Sequence, residues 1–535
     1  MKKKIFKSLL AIACLLCSIS ASAYDFEVDG IYYDVVSLSD FTCKVVSGGK
    51  KYEGDVVIPA TVNYANRTLT VVEIASGAFS SGLTAITIPN TISSISDKTF
   101  NGCSKLESVV IEDGKTYLSL GCNYYNNGSG KGLFYDCPIT TLYIGRNLSY
   151  GTTNAYGRSP FYGIKTIKEL KIGNSVSIIG ENAFSGCSSL TNLTMGDSIS
   201  EIKEYAFSGC SNLTNLIIND AVSEIGEYAF NGCSGLTNIT IGNSATSIGN
   251  YAFYNCQNLT SIIIPNSITT IGKYAFGYCN GLTSVTIGNS ISKIGENAFH
   301  NCSNLIEVHI LDLNAWCKIE FSDVYSNPLY YAKHLYMNGE ETKDLVIPDP
   351  VTSIGFATFY NCIGLTSVAI SNSVAEIGIS AFANCSELTS ATIGNSVAEI
   401  GASAFSNCSG LTNVILGNSI SKIGWNAFKG CKNLIKLRFF NTTPPKIVTT
   451  FYVDESFTNN QYMTLNVFVP QEALEAYQSA DPWKNFWNLQ GFDASGIENV
   501  KAEGGNAVYY DLRGNRLDAP KNGLNIINGK KMIMK

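Results

Sequence analysis

Histidine and charge are what this 535-residue chain has least of: three imidazoles, and only 15% Asp, Glu, Lys and Arg. His300, His309 and His334 stand at no pairing spacing, so neither a two-histidine metal motif nor an acid–base relay is written in the sequence. There is no G-x-S-x-G, no H-E-x-x-H and no Gly-rich phosphate loop opening a long helix. The sequence therefore calls for no enzyme activity and no cofactor. A formal charge of −6 provides no basic field to collect nucleic acid. Cys14 and Cys17 make the single C-x-x-C pair, which leaves a cysteine metal cluster without ligands elsewhere. Beyond the N-terminus no apolar run approaches the ~18 residues a membrane span needs.

What the chain has in quantity is repetition. From about Thr166 to Leu305 one 23-residue unit recurs six times, with Cys187, Cys210, Cys233, Cys256, Cys279 and Cys302 each three residues after a phenylalanine. The register returns at Cys362, Cys385, Cys408 and Cys431. In the unit from Cys256 to Phe276, Leu259-x-x-Ile262-x-Ile264 ends in the period-2 pattern of a short strand. Pro265-Asn266, or Gly-Asn-Ser in other copies, closes it with turn residues. Self-similarity at this period means stacked units. One unit is too small to offset its own conformational entropy, so neighbours must bury its faces and the strands align as a parallel sheet. The expected fold is a repeat solenoid of mostly strand and turn, capped at both ends. Its Ile-Gly glycines are assigned here to tight backbone turning.

The pattern C-x-x-L-x-x-[IV]-x-I followed by [VI]-x-x-I-G-x-x-A-F resembles the BspA-like branch of the leucine-rich repeats, over roughly residues 56–440. That resemblance implies a bacterial surface protein with an interaction role, often an adhesin.

In chain order, Met1-Lys2-Lys3-Lys4, an apolar stretch through Leu16 and Ala21-Ser22-Ala23 form a secretory signal peptide over 1–23, cleaved after Ala23. Leu16 before Cys17 is not small, which argues against lipidation. Residues 24–55 alternate as strands and are expected to cap the first coil. The solenoid spans 56–440, with irregular stretches at 113–163 and 307–349. The first collects Tyr117, Tyr124, Tyr125, Phe134, Tyr135, Tyr143, Tyr150, Tyr156, Phe161 and Tyr162. Leu133-Phe134-Tyr135-Asp136-Cys137 keeps the Phe-to-Cys offset there, so these aromatics are expected in the core of lengthened repeats; the alternative is exposed rings that, with nearby amides, stack on and hydrogen-bond a sugar or peptide. Residues 441–493, with a helix expected over 471–479 and Trp483, Phe486 and Trp487, form the C-terminal cap. Residues 494–535 read as paired strands, one pair around an Asn-Gly turn. That ending resembles the type IX secretion sorting segment, which implies passage to the outer surface of a Gram-negative bacterium.

Seventeen cysteines in an exported chain invite disulfides. In-register side chains on parallel coils, however, sit about 4.7–4.9 Å apart, longer than the ~3.8 Å that Cβ atoms of a disulfide prefer. A ladder of small buried thiols is expected instead.

The candidate binding face is the exposed strand surface. One column reads Thr191, Thr214, Thr237, Thr260, Thr283, Thr366, Thr389 and Thr412. The adjoining one reads Asn192, Asn215, Asn238, Ser261, Ser284, Ser367, Ser390 and Asn413. Strand propensity accounts for threonine without any ligand. The alternative is a flat, neutral, hydroxylated surface for a protein or glycan at the cell surface. A structural spacer in a surface layer or matrix is the competing role.

Overall fold

The computed structural model describes residues 24–48, 50–126, 129–151, 159–448 and 456–493, with short strands between 509 and 534. The signal-peptide assignment at 1–23 and most of the sorting-like segment lie outside the described residues. The chain divides into two compact units: one runs to Val222 and includes Gly232–Ser234, the other comprises Ser223–Asn231 and everything from Gly235. Each is a parallel-strand β-solenoid of about 23-residue repeats.

In the first unit, Phe26–Val28, Ile31–Ser37 and Thr42–Val45 form an antiparallel meander. Its last strand pairs in parallel with Arg67–Ile74, where the solenoid pattern begins. A hairpin from Thr61–Tyr64 to Arg67–Ile74 turns on Ala65-Asn66, both left-handed as a two-residue hairpin loop requires. Beyond it, Leu83–Ile88, Ser108–Ile111, Thr141–Ile144, Glu169–Ile172 and Asn192–Thr194 stack in parallel.

The irregular stretch resolves by where its length goes. Phe79, Phe100, Phe134, Phe161, Phe184 and Phe207 form one stacked file, with centroids 5.5, 4.6, 5.0, 5.7 and 5.3 Å apart. The core column thus continues while the extra residues leave as a hairpin, Cys122–Asn126 against Ser129–Gly132. The tyrosines divide. Tyr150 donates its hydroxyl to the Glu181 carbonyl, Tyr143 bonds Asp113, and Tyr117 is 51% exposed. Tyr156 and the side chains of Tyr124 and Tyr125 lie outside the described residues.

In the second unit the coil from Cys256 to Phe276 shows why these residues fold this way. Cys256, Leu259, Ile262, Ile264, Ile268, Ile271, Ala275 and Phe276 are all buried, while Ser261 and Ile263 alternate outward. Two parallel ladders result: a wider one through Ser261–Ile263, Ser284–Ile287, Glu307–Ile310 and Leu335–Met337, and a narrow one through Ser247–Ile248, Thr270–Ile271 and Lys293–Ile294. The cysteines are free thiols, and those of the regular coils donate to the carbonyl of the phenylalanine 26 residues earlier: Cys256 to Phe230 at 3.5 Å, Cys279 to Phe253 at 3.2 Å, Cys302 to Phe276 at 3.2 Å. The thiol column therefore bonds one coil to the next, a role the spacing alone does not reveal.

The Ile-Gly glycines have another purpose than the one assigned from sequence. Gly249, Gly272, Gly295 and Gly424 do not have positive φ. A Cβ on Gly272 would lie 2.5 Å from the Asn250 nitrogen and 2.6 Å from the Gly249 carbonyl carbon. Close approach of consecutive backbones, not turning, excludes a side chain. The left-handed position is two residues later, at Tyr251, Tyr274 and Asn297.

At 307–349 the repeat is rebuilt. Asp312 caps a short helix, Leu313–Cys317, and its Trp316 is buried with the indole N–H donated to the Thr358 carbonyl. Buried Asn327 donates to the Ala357 and Thr358 carbonyls. Asn338-Gly339, both left-handed, fold Glu340–Glu341 back against Leu335–Met337. A new parallel sheet starts at Asp344–Ile347 and runs through Ser367–Ile370, Ser390–Thr392, Asn413–Leu416, Lys436–Phe439 and Asn466–Pro470 to Asn488–Phe492. Over its end pack Tyr477, Phe486 and Trp483, whose indole donates to the Pro445 carbonyl at 2.8 Å. A helical stretch occupies 471–479, as a 3-10 turn and then Leu474–Ser479. Trp487 is the exception in this group: it is 75% exposed and does not cover the coil.

Candidate functional site

The sheet face is assembled by register. Ser261 opposes Ser284, which opposes Glu307; farther along, Ser367, Ser390, Asn413 and Lys436 form an equivalent row. Asn192, Asn215, Asn238 and Ser261 are exposed, and Ser284, Ser367, Ser390 and Asn413 are half-exposed. The polar column placed there from sequence does face solvent.

The threonine column does something besides. Thr283 Oγ1 donates to the Thr260 carbonyl at 3.0 Å, Thr389 to Thr366 at 2.9 Å and Thr412 to Thr389 at 3.0 Å. Thr191, Thr260 and Thr366 donate likewise to Lys168, Thr237 and Lys343. Thr214 and Thr237 accept from the amides of Asn215 and Asn238. Where the hydroxyl proton is committed along the stack, the side chain offers a ligand only acceptor lone pairs and a methyl group.

Apolar groups stand beside these columns, and the flat hydroxylated description missed them. Ile263 is 67% exposed in the second unit and Ile217 is 69% exposed in the first. Ile306, Leu311 and Ile435 are also exposed. In the second unit Ile263 borders a shallow depression lined by Ile239, Thr240, Ile264, Pro265 and Leu311. The signal was in the sequence: Ile217 and Ile263 occupy strand positions whose two neighbours point inward, so period 2 directs them to solvent.

Two histidines have carboxylate partners. His309 Nε2 lies 3.1 Å from Glu307 and its ring stacks on Tyr336 at 4.9 Å; His334 Nδ1 lies 2.6 Å from Glu341. Their separation in sequence, two and seven residues, is not a helical pairing interval; strand and hairpin geometry bring them together. Near the end of the last sheet Arg438 lies over the rings of Phe468 and Phe492 at 5.7 and 4.7 Å. Among the described residues no three His, Cys, Asp or Glu side chains converge to hold a metal ion, and no helix is long and apolar enough to cross a membrane.

Comparison with known proteins follows this architecture. The family model described as the BspA type leucine-rich repeat region matches residues 72–159, 127–244, 154–283, 223–320 and 331–462. Among solved structures, a leucine-rich repeat protein from Bacteroides ovatus is 29% identical, with 80% of this chain and all of that one covered and a TM-score of 0.45. A leucine-rich cell surface protein from Faecalibacterium prausnitzii is 19% identical over 82% of this chain and 99% of that one, with a TM-score of 0.27. The pneumococcal vaccine antigen PcpA is 17% identical over 88% and 98%, with a TM-score of 0.33. No curated protein matches. With the repeat model matching well over half of its length, the chain belongs to the BspA-type leucine-rich repeat family.

Proposed function

We propose that this protein is a secreted or surface-attached binding protein, an adhesin in the broad sense, that recognises a partner through its sheet face without turning it over. The observation that carries this reading is the juxtaposition of exposed Ile263 with the in-register hydroxyl and amide columns. Apolar anchors framed by neutral hydrogen-bonding groups are the composition of a protein-recognition surface. A protein ligand is therefore favoured over a glycan at this face.

Substitution of Ile263, 67% exposed, by glutamate places a charge at the border of the apolar depression. Surface plasmon resonance of the full chain against a panel of purified extracellular proteins is expected to find saturable binding that this variant weakens at least ~10-fold, the scale of one hot-spot contact. Absence of any saturable ligand supports a spacer role instead; saturable glycan binding lost in the same variant reassigns the ligand class.

Export rests on the two termini. The leader cleaved after Ala23 directs the inner-membrane step, and residues 494–535 act as a type IX-like sorting segment that carries the chain to the outer surface of a Gram-negative cell. In support, the strands Gly523–Ile527 and Lys530–Met534 pair with each other, and Tyr509–Tyr510 joins them in a sheet separate from the solenoid ladders. Deleting 494–535 is expected to leave the melting temperature unchanged and the protein in the periplasm. Arrival outside the cell despite the deletion, read by fractionation, would remove the sorting role.

A further inference from the structure

Away from the sheet face, on the turn layer that follows the narrow strands of the second unit, one file of rings crosses successive coils. Tyr228, Tyr251 and Tyr274 stack at 4.6 and 5.1 Å with interplanar angles of 4° and 11°. Beside them Tyr254 contacts Tyr278 at 5.2 Å, and Tyr278 contacts His300 at 5.6 Å. His300 also meets Tyr274 and Tyr325, and Tyr325 continues to Tyr330 and through it to Tyr360. These rings are half-buried rather than core.

Backbone preference does not explain them. Tyr228, Tyr251 and Tyr274 have φ of 54°, 54° and 50°, at a position held in other coils by Asn182, Asn297, Asn426, Ser380, Ser403 and Ala357, and by Tyr205 in the first unit. Tyr278, at 61°, stands alone in a column otherwise of glycine or asparagine, as at Gly232, Asn255, Asn301 and Asn384. The left-handed region penalises a bulky side chain and tolerates asparagine or glycine. Four tyrosines thus occupy strained positions within three consecutive coils. Nor does satisfaction of polar groups explain them: the hydroxyls of Tyr251, Tyr254, Tyr274 and Tyr278 have no hydrogen-bond partner among the described residues. The imidazole Nδ1 of His300, at the hub, is likewise buried without one.

We propose that this tyrosine stripe is a second binding site and that its ligand is a neutral, extended oligosaccharide lying along the coils. Three features select that chemistry. The rings of the file stack face to face and so present their edges, and the phenol groups of Tyr251, Tyr254, Tyr274 and Tyr278 are unused donors and acceptors, which suits a ligand rich in hydroxyl groups. Its flanking cation is engaged, Lys273 Nζ being 2.6 Å from Glu296, and Glu227 beside Tyr228 carries a negative charge, so an anionic ligand finds no free counter-charge. Its rungs recur every 4.6 to 5.1 Å. An extended peptide advances about 3.3–3.4 Å per residue and falls out of step within two rungs, and a helix carries its side chains around the axis at 3.6 residues per turn. A linear chain of pyranose rings advances close to one sugar per rung and offers a hydroxyl-bearing edge to each phenol.

The test uses the full chain and isothermal titration with β-linked glucan, xylan and mannan oligosaccharides, from disaccharide to heptasaccharide. Binding to at least one series is expected, with affinity rising as the chain lengthens along the stripe. Tyr274→Asn and Tyr278→Asn should each weaken it ten-fold or more while leaving the melting temperature equal or higher, because asparagine suits the left-handed backbone. A loss of binding accompanied by a lower melting temperature would mean that the rings serve the fold. Failure of every series to bind, binding that does not depend on length, or unchanged binding in both variants overturns the proposal. So does a protein ligand lost on the same substitutions. The sheet-face variant Ile263→Glu should leave this binding unchanged, which separates it from the proposed protein site.

Discussion

Raising the pH through the range above about 9 is expected to unfold this protein steeply. Burial pushes the Cys43 thiol up to about 11 and those of Cys103, Cys137, Cys187, Cys317 and Cys362 up to about 12. Cys302, Cys385 and Cys431 are raised by the same cause, and Cys210 by its neighbour Cys233 and then by burial. The sign follows from which state holds the proton. Below about 9, the ordinary thiol value in these environments' absence, both states are protonated and the full stability is present. Above it the unfolded chain loses protons that the folded chain keeps, so the unfolded state gains, and the loss continues until the pH reaches the folded values.

Each thiol exposed in one cooperative step steepens the fall by about 1.4 kcal/mol per pH unit. A stretch of several coils exposes several thiols together, so one pH unit rivals the whole stability of an ordinary domain, about 5–15 kcal/mol. Urea unfolding followed at about pH 7 and about pH 10 measures the slope, and Cys187→Ala should lower it by roughly one thiol's share. Iodoacetamide without reductant should label the repeat cysteines only after denaturation. A stability that is flat to about pH 11 would contradict the linkage, and thiols that resist labelling in denaturant would mean that they are paired.

The second large effect is a single methyl group. Gly272→Ala should destabilise the second unit by about 3 kcal/mol, at the upper end of overpacking costs. The atoms that the new Cβ meets, Asn250 N at 2.5 Å and Gly249 C at 2.6 Å, are main chain and cannot rotate away. Gly355 is the control. It has the same Ile-Gly context but follows the rebuilt coil, and its nearest neighbour is Thr358 Oγ1 at 3.4 Å, an ordinary contact. Gly355→Ala should therefore stay within about 0.5 kcal/mol of the parent. Equal midpoints for the two variants in urea would show that coil spacing relaxes around Gly272.

The 23-residue period, with its columns of Phe, Cys, Leu and Ile, settles from sequence alone that this is a stacked solenoid and which side of each coil faces in. A single coil carries that information, because alternation in its strand and the offset from Phe to Cys depend on local geometry. The threonine and Asn/Ser columns were legible for the same reason. What neighbouring coils do to one another was not. That Thr283 spends its hydroxyl on Thr260, that Cys279 bonds the Phe253 carbonyl and that Gly272 makes room for Asn250 all depend on the distance between coils, which stacking sets. The same is true of the breaks: Phe100, Phe134 and Phe161 are unevenly spaced in sequence yet stack without interruption, because only the core column must keep step. The tyrosine stripe depends on tertiary structure most of all. In sequence Tyr251, Tyr274, Tyr278 and His300 are ordinary substitutions in a variable loop; stacked about 5 Å apart as parallel coils must be, they become one continuous surface.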